Sequence, residues 1–353
     1  MASPLASGPS GPMGESGPSD PSPIYHATDA TRRTGRPDPR VRVILNPNAG
    51  SKAGIPTNVR DPEEHVRSLM RAFDLGDDLV ITESEDDAVA ATNDAVRQGI
   101  GTVAAAGGDG TIGGIARELL NTETALAILP LGSVMNIARM LDLPRDPTAA
   151  AQAIADARAA GTVRIIDVGH ANEMVFFEAG SVGMNAVIFR EANRFGEGDW
   201  RALFSAVRVA FRYRPARMTI ELDDRAVSSR ALMVAVANGP YTGLGFTVAP
   251  GANLEDGHFD VRLFRRFSRW ELFKHFRSIA FGRRVYAPKV ETFRSRRVHI
   301  TSAHRLPARA DSHDLGTTPV TYTVVPGALR IVSPLPPPGH EPAEKDPAVT
   351  GDR

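Results

Sequence analysis

The chain has 353 residues, of which 42% are hydrophobic, and this is enough for two domains that each bury a core. Its 41 basic and 41 acidic residues give a formal net charge of zero, so the overall charge does not indicate nucleic-acid binding. The absence of cysteine excludes disulfides, thiolate metal sites and a cysteine nucleophile. No apolar run approaches the roughly 18 residues of a membrane span and no signal-peptide pattern is present, so we predict a cytoplasmic protein.

The composition and the apolar pattern of the chain change at three points. Residues 1–38 and 334–353 are rich in Gly, Pro or Ser and lack apolar periodicity, which predicts disorder at both ends. Residues 39–160 alternate short apolar runs with helical patterns, as expected for a parallel sheet flanked by helices. Residues 161–333 carry longer β-type runs, which predict a mostly antiparallel domain.

In the first of these domains, strands are predicted at 41–45, 79–81, 101–106 and 125–129, with helices at 61–73, 86–98, 112–120, 136–141 and 147–159. In the second, strands are predicted at 163–168, 174–177, 217–222, 231–237, 259–264, 297–301, 320–325 and 329–332. Helical patterns interrupt the second domain at 185–213 and 268–280. The fold class is therefore an α/β domain followed by a mostly antiparallel β domain.

A glycine-rich turn separates the strand at 101–106 from the helix at 112–120, and it reads Gly107-Gly108-Asp109-Gly110-Thr111. Glycines let the backbone approach a ligand, and a helix that follows such a turn can face an anion with its N–H groups. The carboxylate of Asp109 would repel that anion unless it reaches a metal ion, a hydroxyl group or the backbone. The alternative is an ordinary turn in which Asp109 bonds its own backbone as an Asx-turn.

This turn resembles the nucleotide loop of the diacylglycerol kinase catalytic-domain family, which also includes sphingosine, ceramide and bacterial lipid kinases. The resemblance extends over about residues 41–333. It implies a nucleotide-binding α/β domain and a β-sandwich domain with the active site in the cleft between them. It also implies that ATP and Mg²⁺ are bound and that a lipid hydroxyl is phosphorylated, most simply converting diacylglycerol to phosphatidic acid.

Other positions resemble nucleotide-binding positions of the same family. Asn46, Pro47 and Gly50 match its opening Asn-Pro-x-x-Gly turn, although a plain turn after a strand has the same composition. Thr82 stands where a threonine of the family faces the nucleotide. The alternative for Thr82 is the N-cap of the helix that follows.

The segment 130–139 resembles the family's Pro-x-Gly-Thr-x-Asn-x-x-Ala-Arg motif. Gly132 and Ser133 match the glycine and the hydroxyl-bearing residue, and the resemblance gives both a place at the nucleotide. Met135 stands where the family has asparagine. The pair Gly113-Gly114 also departs from the family, which has Asn-Glu after the glycine-rich turn.

Two further segments carry candidate chemistry. Asp256 matches an aspartate that helps to hold a structural Mg²⁺ in bacterial members, and a simple Asp-Gly hairpin turn is the alternative. Asp311-Ser312-His313 stands where the family reads Asp-Gly-Glu with a glutamate base. The resemblance therefore makes His313 the general base, oriented by Asp311, and imidazole can act in this role near neutral pH.

The resemblance implies a protein that contacts the inner face of the membrane peripherally to reach its lipid. Apolar positions in 185–213 and the basic residues Arg265, Arg269 and Arg277 suit such a surface, and the apolar positions equally suit an ordinary core. The oligomeric state is not predicted.

Two other functions stay open. A catalytically weak or inactive protein that binds nucleotide or lipid for regulation fits the departures at Gly113-Gly114, Met135 and His313. An NAD kinase shares the turn at 107–111 but does not match the segment 130–139 or the turn at Asp256.

Overall fold

The computed structural model describes residues 38–48, 61–132, 134–192, 208, 212–243, 246–265 and 290–334. The helical pattern at 268–280 lies outside these residues, as do the two predicted disordered ends apart from Asp38 and Pro334. Of the helical pattern at 185–213, the structure describes a helix in the first part, to residue 192, and helical residues at 208 and 212.

The first half alternates strands and helices as the sequence predicts. Its elements are β1 (Val41–Leu45), α1 (Pro62–Ala72), β2 (Asp78–Ile81), α2 (Glu85–Arg97), β3 (Thr102–Gly107), α3 (Asp109–Glu118), β4 (Ala125–Pro130), α4 (Asn136–Met140) and α5 (Pro147–Ala160). The strands β2, β1, β3 and β4 are parallel neighbours in this order. Every residue of β1, β3 and β4 is buried, which explains why these strands read as continuous apolar runs.

Local capping explains where the first two helices begin. Asp61 caps α1 by accepting a hydrogen bond from the backbone N–H of Glu64. Ser84 and Asp87 form a capping box at α2. The N-cap alternative for Thr82 is therefore wrong, and its buried hydroxyl instead donates to the Leu45 carbonyl at 3.1 Å.

The second half is built mainly from antiparallel strands. Its elements are β5 (Val163–Ala171), β6 (Met174–Phe176), β7 (Ala179–Gly183), α6 (Met184–Ala192), β8 (Ala216–Glu221), β9 (Ala226–Ala231), β10 (Met233–Ala237), β11 (Tyr241–Thr242), β12 (Phe246–Thr247), β13 (Phe259–Phe264), β14 (Val290–Ser295), β15 (Arg297–Ser302), β16 (Pro307–Ala310), β17 (His313–Thr317) and β18 (Val320–Val332). The sequence prediction lacks seven of these strands, namely β7, β9, β11, β12, β14, β16 and β17. Several are short or polar, so they lack the apolar pattern that identifies a strand.

The two strands predicted at 320–325 and 329–332 form the single strand β18, whose register shifts between Val325 and Leu329. Gly327 lies inside this irregularity with a φ of +61°, a conformation that favours glycine. The break in apolar pattern is therefore a bulge within one strand.

The strand β18 joins the two halves of the fold. It pairs in parallel with β4 through Ile331 and Leu126, and antiparallel with β5 and β15. One sheet thus runs β2-β1-β3-β4-β18-β15-β8-β9, and a second, antiparallel sheet runs β14-β13-β10-β7-β16-β17. Buried residues of both sheets, including Phe176, Phe259 and Tyr322, form one apolar core, as in a β-sandwich.

The described helices include none that is long and apolar enough to cross a bilayer.

Candidate active site

The glycine-rich turn lies at the carboxyl edge of the parallel sheet, where β3 ends at Gly107 and α3 begins at Asp109. The N-cap of α3 is Gly108, which has no side chain to cap the N–H groups of this helix end. The helix starts three residues before the predicted 112, so Gly110 and Thr111 lie in its first turn. Exposed N–H groups and the helix dipole make this end suitable for a phosphate.

Asp109 uses its carboxylate to join this turn to α4. One of its oxygens accepts a hydrogen bond from the backbone N–H of Ile137 at 3.3 Å. Burial raises the pKa of Asp109, and the backbone N–H groups of Ile137, Asn136 and Met135 oppose that rise. This contact differs from the proposed Asx-turn, because the carboxylate reaches the backbone of the neighbouring turn.

The turns at 107–111 and 130–136 also touch through their glycines. A Cβ added to Gly132 would lie 2.8 Å from the Gly108 Cα and 2.9 Å from the Met135 sulfur. A side chain at 132 would therefore push the two turns apart. Ser133 lies outside the described residues.

Asn46, in the turn that follows β1, connects that turn to the glycine-rich turn. The side-chain NH₂ group of Asn46 donates to the Thr111 hydroxyl at 3.1 Å, and its side-chain Oδ1 accepts from the Asn48 backbone N–H at 3.0 Å. Pro47 lies between these two asparagines, and Gly50 lies outside the described residues. The ends of β1 and β3 thus meet at one edge of the sheet.

Asp311 occupies the tight turn between β16 and β17, with a φ of +46°. Its carboxylate accepts hydrogen bonds from the backbone N–H groups of Phe177, Glu178 and Ala179 at 2.8, 2.9 and 3.2 Å. Burial raises the pKa of Asp311, and these three donors oppose the rise. The carboxylate therefore holds the segment that leads into β7.

His313 is the first residue of β17, a strand that the sequence analysis does not predict. Its Nδ1 is buried and has no hydrogen-bond partner among the described residues. The hydrogen bonds of the Asp311 carboxylate go to the 177–179 backbone, so they do not supply the predicted orientation of the imidazole ring.

Glu178, which the sequence analysis does not identify, contacts both the start of α4 and the segment that contains Gly243. Its Oε1 accepts from the Asn136 side-chain amide at 3.0 Å, and its Oε2 accepts from the Gly243 backbone N–H at 3.0 Å. Burial raises its pKa to about 8, and the charges of Asp311 and Asp109 add to that rise. One signal was available in the sequence, since Glu178 is the only charged residue in the apolar and small stretch 174–183.

Arg309 on β16 is a buried cation near the carboxylates of Glu178 and Asp311. Burial lowers its pKa, and the charges of Glu178 and Asp311 oppose that effect. The charges of Asp109 and Asp311 both raise the pKa of Glu178, and the Asp311 carboxylate accepts the Glu178 backbone N–H, so the three acidic residues belong to one part of the molecule. Buried and partly buried carboxylates with raised pKa values, next to a helix N-terminus, are typical of an active site.

Asp256 has a different set of partners. Its Oδ1 accepts from the His258 backbone N–H at 3.0 Å, and its Oδ2 accepts from the Arg294 guanidinium. Asp167 lies near enough for its pKa to be raised by the Asp256 charge, although burial is the larger cause. In the described part of the chain, no group of three or more His, Cys, Asp or Glu side chains could hold a metal ion.

Comparisons with known proteins agree with this arrangement. The diacylglycerol kinase catalytic domain matches residues 40–171, and the YegS C-terminal NAD kinase beta sandwich-like domain matches residues 179–333. A diacylglycerol kinase of Mycobacterium tuberculosis (strain ATCC 25618 / H37Rv) is 28% identical over 249 residues, covering 68% of this chain and 79% of that protein.

A "Probable lipid kinase YegS-like" of Chromohalobacter salexigens is 28% identical over 302 residues, covering 83% of this chain and 92% of that protein. The crystal structure of a diacylglycerol kinase from Bacillus anthracis str. Sterne matches with a TM-score of 0.62 at 20% identity, covering 84% of this chain and 97% of that chain. At this identity the structural likeness establishes the fold. The two domain matches and the relatives together show that the chain belongs to the diacylglycerol kinase catalytic-domain family of lipid kinases.

Proposed function

We propose that this kinase transfers the γ-phosphate of ATP to the hydroxyl group of a lipid, in the simplest case diacylglycerol to give phosphatidic acid. The observation that carries the proposal is the uncapped N-terminus of α3 at Gly108, which adjoins the cluster of Asp109, Glu178 and Asp311. The helix end is suited to the phosphates and the carboxylates to the proton and the metal ion.

The phosphates of ATP would contact the N–H groups from Gly108 to Thr111. Asn46 supports this contact because its amide holds the Thr111 hydroxyl. Gly132 supports it because the close approach to Gly108 keeps the second turn beside the first. Transfer would then depend on positioning and on neutralisation of the phosphate charge.

Asp109 would hold Mg²⁺, which would supply positive charge to offset that of the phosphates. Asp109 fits this role because its side chain is partly buried and its pKa is raised by desolvation, so a nearby cation would stabilise its ionised form. Asp256 fits poorly, because one of its oxygens already pairs with Arg294 and the other accepts a backbone N–H.

The lipid acceptor is proposed from the family and from the names of the relatives, which are diacylglycerol kinases and a YegS-like lipid kinase. Peripheral contact with the membrane is part of the same proposal. Of the basic residues predicted to aid it, Arg265 is described and pairs with Glu291, whereas Arg269 and Arg277 lie outside the described residues.

The proposal is tested by measuring transfer of labelled γ-phosphate from Mg-ATP to lipids in detergent micelles. Separate reactions contain diacylglycerol, a bacterial lipid extract and NAD. We expect a labelled lipid with the wild-type protein, with a rate at least 100-fold lower for Asp109→Asn. The matched control is Asp156→Asn, which makes the same change on the exposed face of α5.

Each other outcome contradicts a specific part of the proposal. Full activity of Asp109→Asn would exclude its role with the metal ion. Labelled NAD without labelled lipid would identify an NAD kinase, and ATP binding without any transfer would favour the regulatory protein.

A further inference from the structure

We propose that Glu178 is the catalytic residue that accepts the proton of the acceptor hydroxyl, a role that the family resemblance would give to His313. This inference rests on the proposed phosphoryl transfer. It concerns a residue of the β6–β7 connection that lies outside every motif recognised in the sequence.

The position of Glu178 is fixed from three directions. Its backbone N–H donates to Asp311, its Oε1 accepts from Asn136, and its Oε2 accepts from Gly243. Asn136 begins α4, the same helix end that holds the Asp109 carboxylate. The Glu178 carboxylate therefore lies between the proposed phosphate-binding turns and the hairpin that carries His313.

The same geometry argues against His313. The buried Nδ1 of His313 has no hydrogen-bond partner among the described residues, so no hydrogen bond at this nitrogen fixes the tautomer of the ring. A general base is effective only when it is held within reach of the proton that it removes. The Glu178 carboxylate accepts two hydrogen bonds, which hold it in one position.

The Glu178 carboxylate can still accept a proton. A carboxylate has about four lone-pair positions, and the two described hydrogen bonds use two of them. In the proposed step, the acceptor O–H bond breaks and its proton moves to Glu178. The acceptor oxygen bonds to the γ-phosphorus while the bond from that phosphorus to the β,γ-bridging oxygen breaks. ADP leaves, and Glu178 then releases the proton to solvent.

The charges that surround Glu178 determine the pH at which it can act. Asp109 on α3 and Asp311 after β16 disfavour its ionised form, whereas Arg309 on β16 favours it. Arg139 on α4 acts more remotely, since its charge lowers the pKa of Asp109. With burial as the largest cause, the pKa of Glu178 is raised to about 8, which makes the residue a stronger base than an exposed glutamate.

The test is the single-turnover rate of phosphate transfer from pH 6 to pH 9, with saturating Mg-ATP and diacylglycerol micelles. For the wild type, we expect a rate that rises about tenfold per pH unit and levels near pH 8. Glu178→Gln keeps the size of the side chain and should lower the rate by about 100-fold to 10,000-fold, with loss of this rise. His313→Gln should keep the rise, and Glu178→Asp should restore part of the rate.

The affinity for Mg-ATP separates catalysis from structure. If Glu178 only supports the fold, Glu178→Gln will lower this affinity and keep the rise in rate with pH, which overturns the inference. Loss of the rise in His313→Gln alone would overturn it in favour of histidine. If the wild type transfers phosphate to lipid and Glu178→Gln is equally fast, only this inference fails. If the wild type transfers phosphate to no lipid, both this inference and the proposed function fail.

Discussion

The burial of Glu178 has a consequence for stability that does not depend on catalysis. Its pKa is raised to about 8 in the folded protein from an ordinary value of 4.5. Between these two pH values the unfolded chain has released the proton while the folded protein still holds it. The free energy of unfolding should therefore fall as the pH rises from about 4.5 to about 8 and should level above that range.

The size of the effect follows from the difference between the two pKa values. Each pKa unit corresponds to about 1.4 kcal/mol, so full ionisation of Glu178 should cost about 5 kcal/mol. Glu178→Gln cannot ionise and escapes this cost, while its amide resembles the protonated acid in size. The variant should therefore gain about 4 kcal/mol relative to the wild type between pH 5 and pH 9.

The measurement is urea unfolding of both proteins at several pH values, followed by circular dichroism. Asp109, Asp311 and other buried acids titrate in both proteins, so the difference between the two curves isolates Glu178. A difference that stays constant from pH 5 to pH 9 would refute the reasoning, because it would mean that Glu178 ionises as easily in the folded protein as in the unfolded chain. A gain that appears only below pH 5 would contradict the sign.

Two further predictions concern the contacts that hold the site together. Asp311→Asn should lower the free energy of unfolding by about 1–3 kcal/mol, because the new amide group would face the Phe177 N–H with a donor. Urea unfolding at pH 7 checks this, with the exposed Asp156→Asn as the control, and equal losses in the two variants would contradict it. Gly132→Ala should cost about 1–3 kcal/mol and weaken Mg-ATP binding, because its Cβ would meet the Gly108 Cα at 2.8 Å. Gly251→Ala adds the same methyl group where no atom lies within 4 Å, so a similar loss in this control would rule out the proposed clash.

Much of the first half could be predicted from the sequence because its signals are local. The apolar runs of β1, β3 and β4 lie in a sheet that is covered on both faces, so each strand is recognisable by itself. The turn at 107–111 is likewise defined by adjacent residues, and it lies between a buried strand and a helix as predicted. The family resemblance depends on the same short segments.

The second half was predicted less completely because its signals are weaker. The strands β16 and β17 are only four and five residues long, and both contain charged residues. The sequence analysis therefore predicts no strand at His313. The position of His313 in the motif made it the predicted base, but its hydrogen-bond partners could not be predicted from that position.

Neighbouring residues are enough to predict the strand, turn and helix that are suited to phosphate, together with the alternation that builds the parallel sheet. Which residues complete the site depends on long-range contacts. Glu178 meets Asn136 across 42 residues and Gly243 across 65, while Asp311 reaches the backbone of Phe177 across 134. These contacts form because β18 pairs with β4 in one sheet and β7 pairs with β16 in the other. Strand pairing between residues so far apart in the chain leaves no pattern in neighbouring residues.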